Sequence, residues 1–306
     1  MRLLLVCVLC ASPLAATAAA VFSNPGKQLK GDGLRMLQRG TRVLIPTVYA
    51  QNLIAGVHKA SKGGAHAKVT AANPGITPDL GRLIADELQA DLVAKLQAAG
   101  CEVLTYADVQ THPVVAGLKP WAPHKTHRLP IASINVGFGD LDFLVSTPTG
   151  VPVQQHATIA VWDPGIAMRY ARVAKEKNAV VVVPTYRFQA PVLHGSARSG
   201  LHKSYASAGI APSMQIPWAG FQLLSAKGAW GSYMLDGVNP VLLADTVGTI
   251  TKTSESKSAD TSLFDFSTFR SMAKSGYLME IDADAYRVAA IAAGKELNTL
   301  FVAQFK

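Results

Sequence analysis

The run AVVVVPTYRFQ, Ala179 to Gln189, constrains the fold of this chain more than any other stretch. Successive side chains of a strand point to opposite faces. Four consecutive valines are therefore apolar on both faces, as in a central strand covered on each side. Such a strand calls for helices, and the sequence supplies them. In TPDLGRLIADELQADLVAKLQAAG, Thr77 is placed to cap a helix. Pro78 suits the first helical turn, where its missing N–H costs nothing. Leu80, Leu83, Ile84, Leu88, Leu92 and Leu96 recur at three- and four-residue steps and predict one apolar stripe. Gly100 stops this helix, and CEVLTYADV reads as a strand. The order then repeats. Asp163 and Pro164 open a second helix with Ile166, Tyr170, Val173 and Ala174 on one face, ending near Asn178 before the valine strand. Asp282 starts a last helix striped by Tyr286, Ala289, Ala290, Ala293, Leu297, Leu300 and Phe301. These units predict an α/β fold (α+β possible), with a central mixed sheet flanked by helices.

The rest reads as β-rich. Thr41–Ala60 and Ala65–Ala72, joined through Ser61-Lys62-Gly63-Gly64, predict a hairpin. Trp218–Ala226, Trp230–Leu235 and Pro240–Ser254 predict strands, and Val151–Val161 is a further candidate. His112–Pro130 reads as proline-rich loop, and VGFGDLD, Val136 to Asp142, as a turn or bulge. Two β-rich insertions are expected, at about 192–209 and 247–262, the second a polar, exposed hairpin arm. No linker interrupts the pattern, so a single domain is expected over 21–306.

The first twenty residues, MRLLLVCVLCASPLAATAAA, have the form of a secretory signal: Arg2, an apolar run from Leu3 to Leu9, then small residues. Ala16-Thr17-Ala18 and Ala18-Ala19-Ala20 both fit an A-x-A cleavage site, so the mature chain is expected to start at Ala19 or Val21. The apolar run falls short of the ~20 residues of a membrane span, and no later segment is apolar enough to span. Cys7 and Cys10 follow Val6 and Leu9 rather than a small residue, which argues against lipidation. Both leave with the signal, so Cys101 stands alone without an internal disulfide and reads as a small buried hydrophobe. The chain carries 29 basic and 20 acidic residues; without Arg2 the balance is 28 against 20, or +8. The expected location is periplasmic or secreted, with association with the outer membrane left open. There, nucleic acid is not the expected partner. A basic exported protein points to an envelope protein or to anionic lipid or polymer. The oligomeric state is left open.

Chemical signatures are sparse. The eight histidines are scattered. His124 and His127 lie in WAPHKTHRLP, where prolines deny a helix and no Cys, Asp or Glu stands near, so no metal is expected. HGSARSG does not match the G-x-S-x-G nucleophile elbow, and Cys101 has no neighbouring base. There is no P-loop or dinucleotide fingerprint. VGFGDLD lacks a third glycine and the helix needed to cradle phosphate, so no cofactor is expected. Asp140 with Asp142, and Asp282 with Asp284, stay open as acid–base pairs, although Asp282 reads better as a helix cap. VLHGSARSGLHKSYASAG, Val192 to Gly209, reads as a solvated loop or hairpin laid over the sheet, its glycines and serines too small to pack a core. Within it Arg198, Lys203, Ser196, His194 and His202 are candidate contacts to an anion or partner.

The order VLIPTVY, then LGRLIADELQADLVAKLQAAG, then EVLTYADV, then VVVVPTYRF resembles the periplasmic α/β domain of the curli secretion-channel subunit and of the lipoprotein activators of penicillin-binding proteins. In that family a β-rich insertion after a core strand can form an interaction or pore-lining hairpin; 192–209 and 247–262 correspond here. The lipid-anchoring cysteine of the family is missing, and no functional residue carries over. The resemblance implies an accessory or binding role in the envelope. The leading expectation is an exported, non-enzymatic binding or assembly factor. The alternatives are a carrier of a hydrophobic or anionic, lipid-like ligand, and a hydrolase of unrecognised type.

Overall fold

The computed structural model describes residues 21–62, 65–120, 126–133, 137–154, 165–199, 204–235, 240–244, 246–256 and 272–305. The signal-like segment, Asp163, Pro164, His124, His202 and Lys203 lie outside them.

The valine run forms the central strand of a large mixed sheet, and the elements around it follow in chain order. They are α1 (Pro25–Gln28), β1 (Leu29–Asp32), β2 (Arg42–Ile45), β3 (Tyr49–Lys62), β4 (Ala65–Ala72), α2 (Pro78–Ala98), β5 (Glu102–Thr105) and α3 (Pro113–Ala116). Next come β6 (Thr126–Ser133), β7 (Gly137–Ser146), α4 (Gly165–Arg169), α5 (Ala171–Lys177), β8 (Val180–Gln189), β9 (Val192–Ser199) and β10 (Ser204–Ala211). The chain ends with β11 (Met214–Leu224), β12 (Trp230–Leu235), β13 (Val241–Ala244), β14 (Gly248–Ser256), β15 (Met272–Ile281) and α6 (Ala283–Val302).

Among the described residues thirteen strands join one sheet and β9–β10 form a separate pair. β8 sits at the centre. β11 runs antiparallel on one side, and β2 then β3 run parallel on the other. β5 extends the sheet beyond β2, β7 and β6 beyond one flank of β3, and β12 with β1 beyond β11. β3 turns into β4, which pairs in parallel with β15, and β14 closes that edge.

Helices cover both faces near β8. On one face Ile84, Leu88, Leu92 and Leu96 of α2 and Tyr286, Leu297 and Phe301 of α6 pack on Val180, Val182, Tyr186 and Phe221. Burying such side chains removes about 1.5–3 kcal/mol each from water. The other face carries Ala167, Tyr170, Val173 and Ala174 of α4 and α5 against Leu44, Tyr49, Val181 and Val183. The alternate valines thus serve opposite cores. Two asparagines bolt helices to sheet. Tyr286 Oη donates to Asn52 Oδ1 at 2.9 Å. Asn298, fully buried, accepts from Tyr186 Oη and donates to the Leu88 carbonyl and to Asp91 Oδ2.

The local signals act where they were read. Thr77 Oγ1 accepts from Leu80 N, Pro78 starts α2, and Gly100 takes φ +85°, where a side chain would be strained. Asn178 takes the same left-handed role after α5. Asp282 accepts from the N–H groups of Asp284 and Ala285, which makes it a cap.

Several expectations need correction. Leu83 is 54 % exposed, because its turn of α2 points away from the sheet while Leu80 and Ile84 point in. The stretch read as a turn, VGFGDLD, lies largely in β7: Gly137 and Gly139 pair with β6, where an extended backbone needs no positive φ. Half of the proline-rich 112–130 is ordered by partners as well. His112 caps α3, and Thr126–Pro130 lie in β6 with Pro130 at the sheet edge. Of the candidate strand 151–161, Gln154 makes an isolated bridge with Pro120, and 155–161 lie outside the described residues. The 247–262 arm is not free-standing, since β14 pairs with β15 and β15 with β4, although Thr251, Lys252 and Thr253 are exposed.

Candidate functional site

The 192–209 insertion is the β9–β10 hairpin, and it lies across β3 and β4 as a second layer. It packs a core after all. Leu193 is buried with Leu53, Val69, Ala71, Leu141 and Phe143, and Ala208 and Ile210 pack against them. Small residues suffice because the hairpin closes on another sheet rather than on long helical side chains. Opposite partners in the register share a face. Leu193 pairs with Ile210 and Gly195 with Ala208 on the parity of that buried layer. His194, Ser196 and Arg198 fall on the other parity, opposite Gly209, Ser207 and Tyr205. Three of the five expected contact residues therefore share one parity of β9. His202 and Lys203 fall between β9 and β10, outside the described residues.

A second row escaped the sequence reading. In the β3–β4 hairpin Lys59 stands directly opposite Lys68, and Lys68 stands beside Lys274 of β15. Neighbouring strands are about 4.8 Å apart, so three lysines occupy adjacent places on one face. Their parity is opposite to that of Val69, so the row lies on the reverse of the β9–β10 layer. Like charges directly opposite one another destabilise a sheet. Asp140 of β7, opposite Val57, is the diagonal carboxylate nearest to Lys59 in the register; Asp142 is opposite Arg128. The two hairpins, 49–72 and 192–211, hold Lys59, Lys62, Lys68, Arg198 and Lys203 with no Asp or Glu. Arg198 stands on the parity of β9 opposite to the buried Leu193, and Lys68 on the parity of β4 opposite to the buried Val69, so the two-layered slab is apolar in its middle and these two basic positions fall on either side of it. Lys59 and Lys68 could have been paired from the sequence, being symmetric about Gly63-Gly64. Lys274 could not, because a parallel partner has no local signal.

A half-buried cation marks the junction between this slab and the helical half. Arg187 Nε donates to Gln51 Oε1 at 2.9 Å, with the guanidinium 5.1 Å from the Phe143 ring centre and 5.5 Å from that of Trp218. Burial lowers its pKa to about 10. Burial likewise raises the phenols of Tyr49, Tyr170, Tyr186 and Tyr286 above their ordinary range, so they stay neutral. Cys101 is buried and its thiol is raised for the same reason. Among the described residues no three His, Cys, Asp or Glu side chains gather as metal ligands. No described helix is long and apolar enough to cross a membrane. A cleft of about 540 Å³ lies where β7 leaves the sheet over the start of α2, walled by Pro78, Pro120, Pro148, Pro152 and Val151, with Arg82 at its side.

Compared with protein-family models, with curated proteins and with solved structures, the chain matches none.

Proposed function

We propose that this protein is an exported binding or assembly factor of the cell envelope, without chemistry of its own, whose basic double hairpin meets an anionic envelope partner. The two acid-free hairpins, with Lys59 and Lys68 in a row that Lys274 of the neighbouring β15 extends, carry this reading. Three like charges side by side cost stability, and an anionic surface offsets that cost. Each basic residue near such a surface contributes about 1 kcal/mol. The Arg198 row supplies a second basic side.

The test is binding to vesicles of phosphatidylglycerol mixed into phosphatidylcholine, over a salt series. Wild type is expected to bind and to weaken steeply as salt rises. Replacing Lys59, Lys68 and Lys274 by glutamine is expected to cost roughly a hundredfold, three contributions of about 1 kcal/mol. Arg198→Ala with Lys203→Ala is expected to cost roughly tenfold or more. Undiminished binding by both variants at low salt sinks the reading. A second reading, a carrier of a small lipid-like ligand, calls for a deep apolar pocket, whereas the 540 Å³ cleft is open and has Arg82, Ser146, Thr147 and Thr149 among its walls. Native mass spectrometry that finds a retained ligand would select that reading.

A further inference from the structure

The first two described residues are held from the far end of the chain. Val21 N–H donates to Glu296 Oε2 at 2.7 Å, and Phe22 N–H donates to Glu296 Oε1 at 2.9 Å. Phe22 is 2 % exposed in the core beneath α6, and Val21 packs against that core. These first described residues are thus fixed in place, with the Val21 backbone nitrogen on a carboxylate. Among the described residues no lysine, arginine or histidine is paired with Glu296. Its half-buried charge is met there by two neutral amides, fewer and weaker donors than a carboxylate with two oxygens can use. The residues just ahead are Ala18-Ala19-Ala20, small side chains at the A-x-A spacing before the Ala20–Val21 bond.

We propose that Ala20–Val21 is the processing site and that the α-ammonium it creates is the ion-pair partner of Glu296. The proposal rests on the export reading above. An endopeptidase of the export machinery adds water across the bond. The Ala20 carbonyl carbon takes the hydroxyl and leaves as a carboxylate; the Val21 nitrogen takes a proton and is an ammonium at neutral pH. The nitrogen 2.7 Å from Glu296 Oε2 then carries three donors and a full charge instead of one N–H. Charge-assisted hydrogen bonds are roughly twice as strong as neutral ones. Cleavage two residues earlier, before Ala19, leaves a neutral amide at the carboxylate. Processing acts on the translocating chain before folding, so the burial of Phe22 does not shield the bond. Removal of the leader thereby completes a tie between the N-terminus and α6.

Two measurements test this. The full chain is expressed in an exporting bacterial host, and the exported protein is analysed by intact mass and N-terminal sequencing. A start at Val21 is expected. A start at Ala19 or elsewhere overturns the site while leaving export standing; protein kept inside the cell with Met1 intact counts against the export reading itself. Separately, release from a cleavable N-terminal fusion yields chains starting at Val21 or at Ala19, each with Glu296 or Glu296→Gln. The Val21 chain is expected to melt about 2 °C higher than the Ala19 chain, and the gap is expected to close in Glu296→Gln. Equal melting of the two Glu296 chains overturns the ion pair, whether or not the glutamine variant folds.

Discussion

Two leucines nine residues apart on α2, about two and a half turns, show how finely a single position can differ. Leu92 is fully buried against the sheet, whereas Leu83 is more than half exposed. Leu92→Ala is expected to cost ~2–5 kcal/mol, the loss of a buried leucine plus its cavity. Leu83→Ala is expected to stay within ~0.5 kcal/mol, as at other exposed sites. Urea unfolding of both variants checks the pair; a large loss at Leu83 would mean that another chain covers that turn. Lys68 offers a different single-residue test, because it stands between two like charges in the register. Lys68→Thr is expected to leave stability unchanged or raise it by up to ~0.5 kcal/mol at low salt. That gain should shrink as salt approaches 0.15 M, where the screening length is about 8 Å. Binding to anionic vesicles should weaken in the same variant. A clear loss of stability at low salt would show that the row is internally compensated.

At the scale of elements, the sheet owes its two-sided burial to what each strand meets. β8 divides its alternate side chains between the α2–α6 core and the α4–α5 core. β3 starts in that same environment at Tyr49 and ends as half of the basic hairpin. α2 and α6 run side by side on close contact: a Cβ on Gly294 would stand 2.3 Å from Leu88 Cδ2, and Leu88 is itself fully buried. The β14 edge is set just as tightly, since a Cβ on Gly248 would stand 2.2 Å from the Glu280 carbonyl oxygen. Backbone cannot swing aside as a side chain can. Gly248→Ala is therefore expected to destabilise by ~1–3 kcal/mol through strain at the start of β14, measured by thermal or urea unfolding. A neutral result would show that β14 and β15 shift freely against each other.

For the whole molecule, the four phenols sealed in the cores make stability depend on alkaline pH. Tyr49, Tyr170, Tyr186 and Tyr286 have folded pKa values raised by burial, while unfolded tyrosine titrates near 10. Their contribution is complete below pH 10 and is lost as pH rises toward the folded values. Each proton that the unfolded chain releases and the folded chain keeps lowers stability by ~1.4 kcal/mol per pH unit, so four amount to ~5. Arg187 works the other way in the same range, because its folded pKa of about 10 lies below its unfolded value and favours the fold as pH rises. The net expectation is cooperative unfolding above pH 10, with the phenolate absorbance of the buried tyrosines appearing together with loss of structure. Phenolate signals from all tyrosines before unfolding would contradict their burial.

What the sequence determined by itself was whatever neighbours along the chain decide. The stripe of α2, its Thr77 cap and Gly100 stop, the Asp282 cap and the two-faced valine strand all rest on residues within a few positions of each other, and backbone geometry turns such spacing directly into faces and ends. The α/β class and the hairpin across Gly63-Gly64 follow from the same local rules. The expected contact residues His194, Ser196 and Arg198 were singled out with His202 and Lys203 as the polar and basic residues of one stretch, and only the register places the first three on one parity of β9. Tertiary structure alone decided that Leu193 and Ile210 turn that hairpin into a packed layer, and that VGFGDLD extends as a strand between β6 and β3. It alone set Lys274 beside Lys68 and brought Glu296 to Val21. The last two contacts join residues more than two hundred positions apart. They are selected by how whole elements bury one another, a choice that no short stretch of sequence contains.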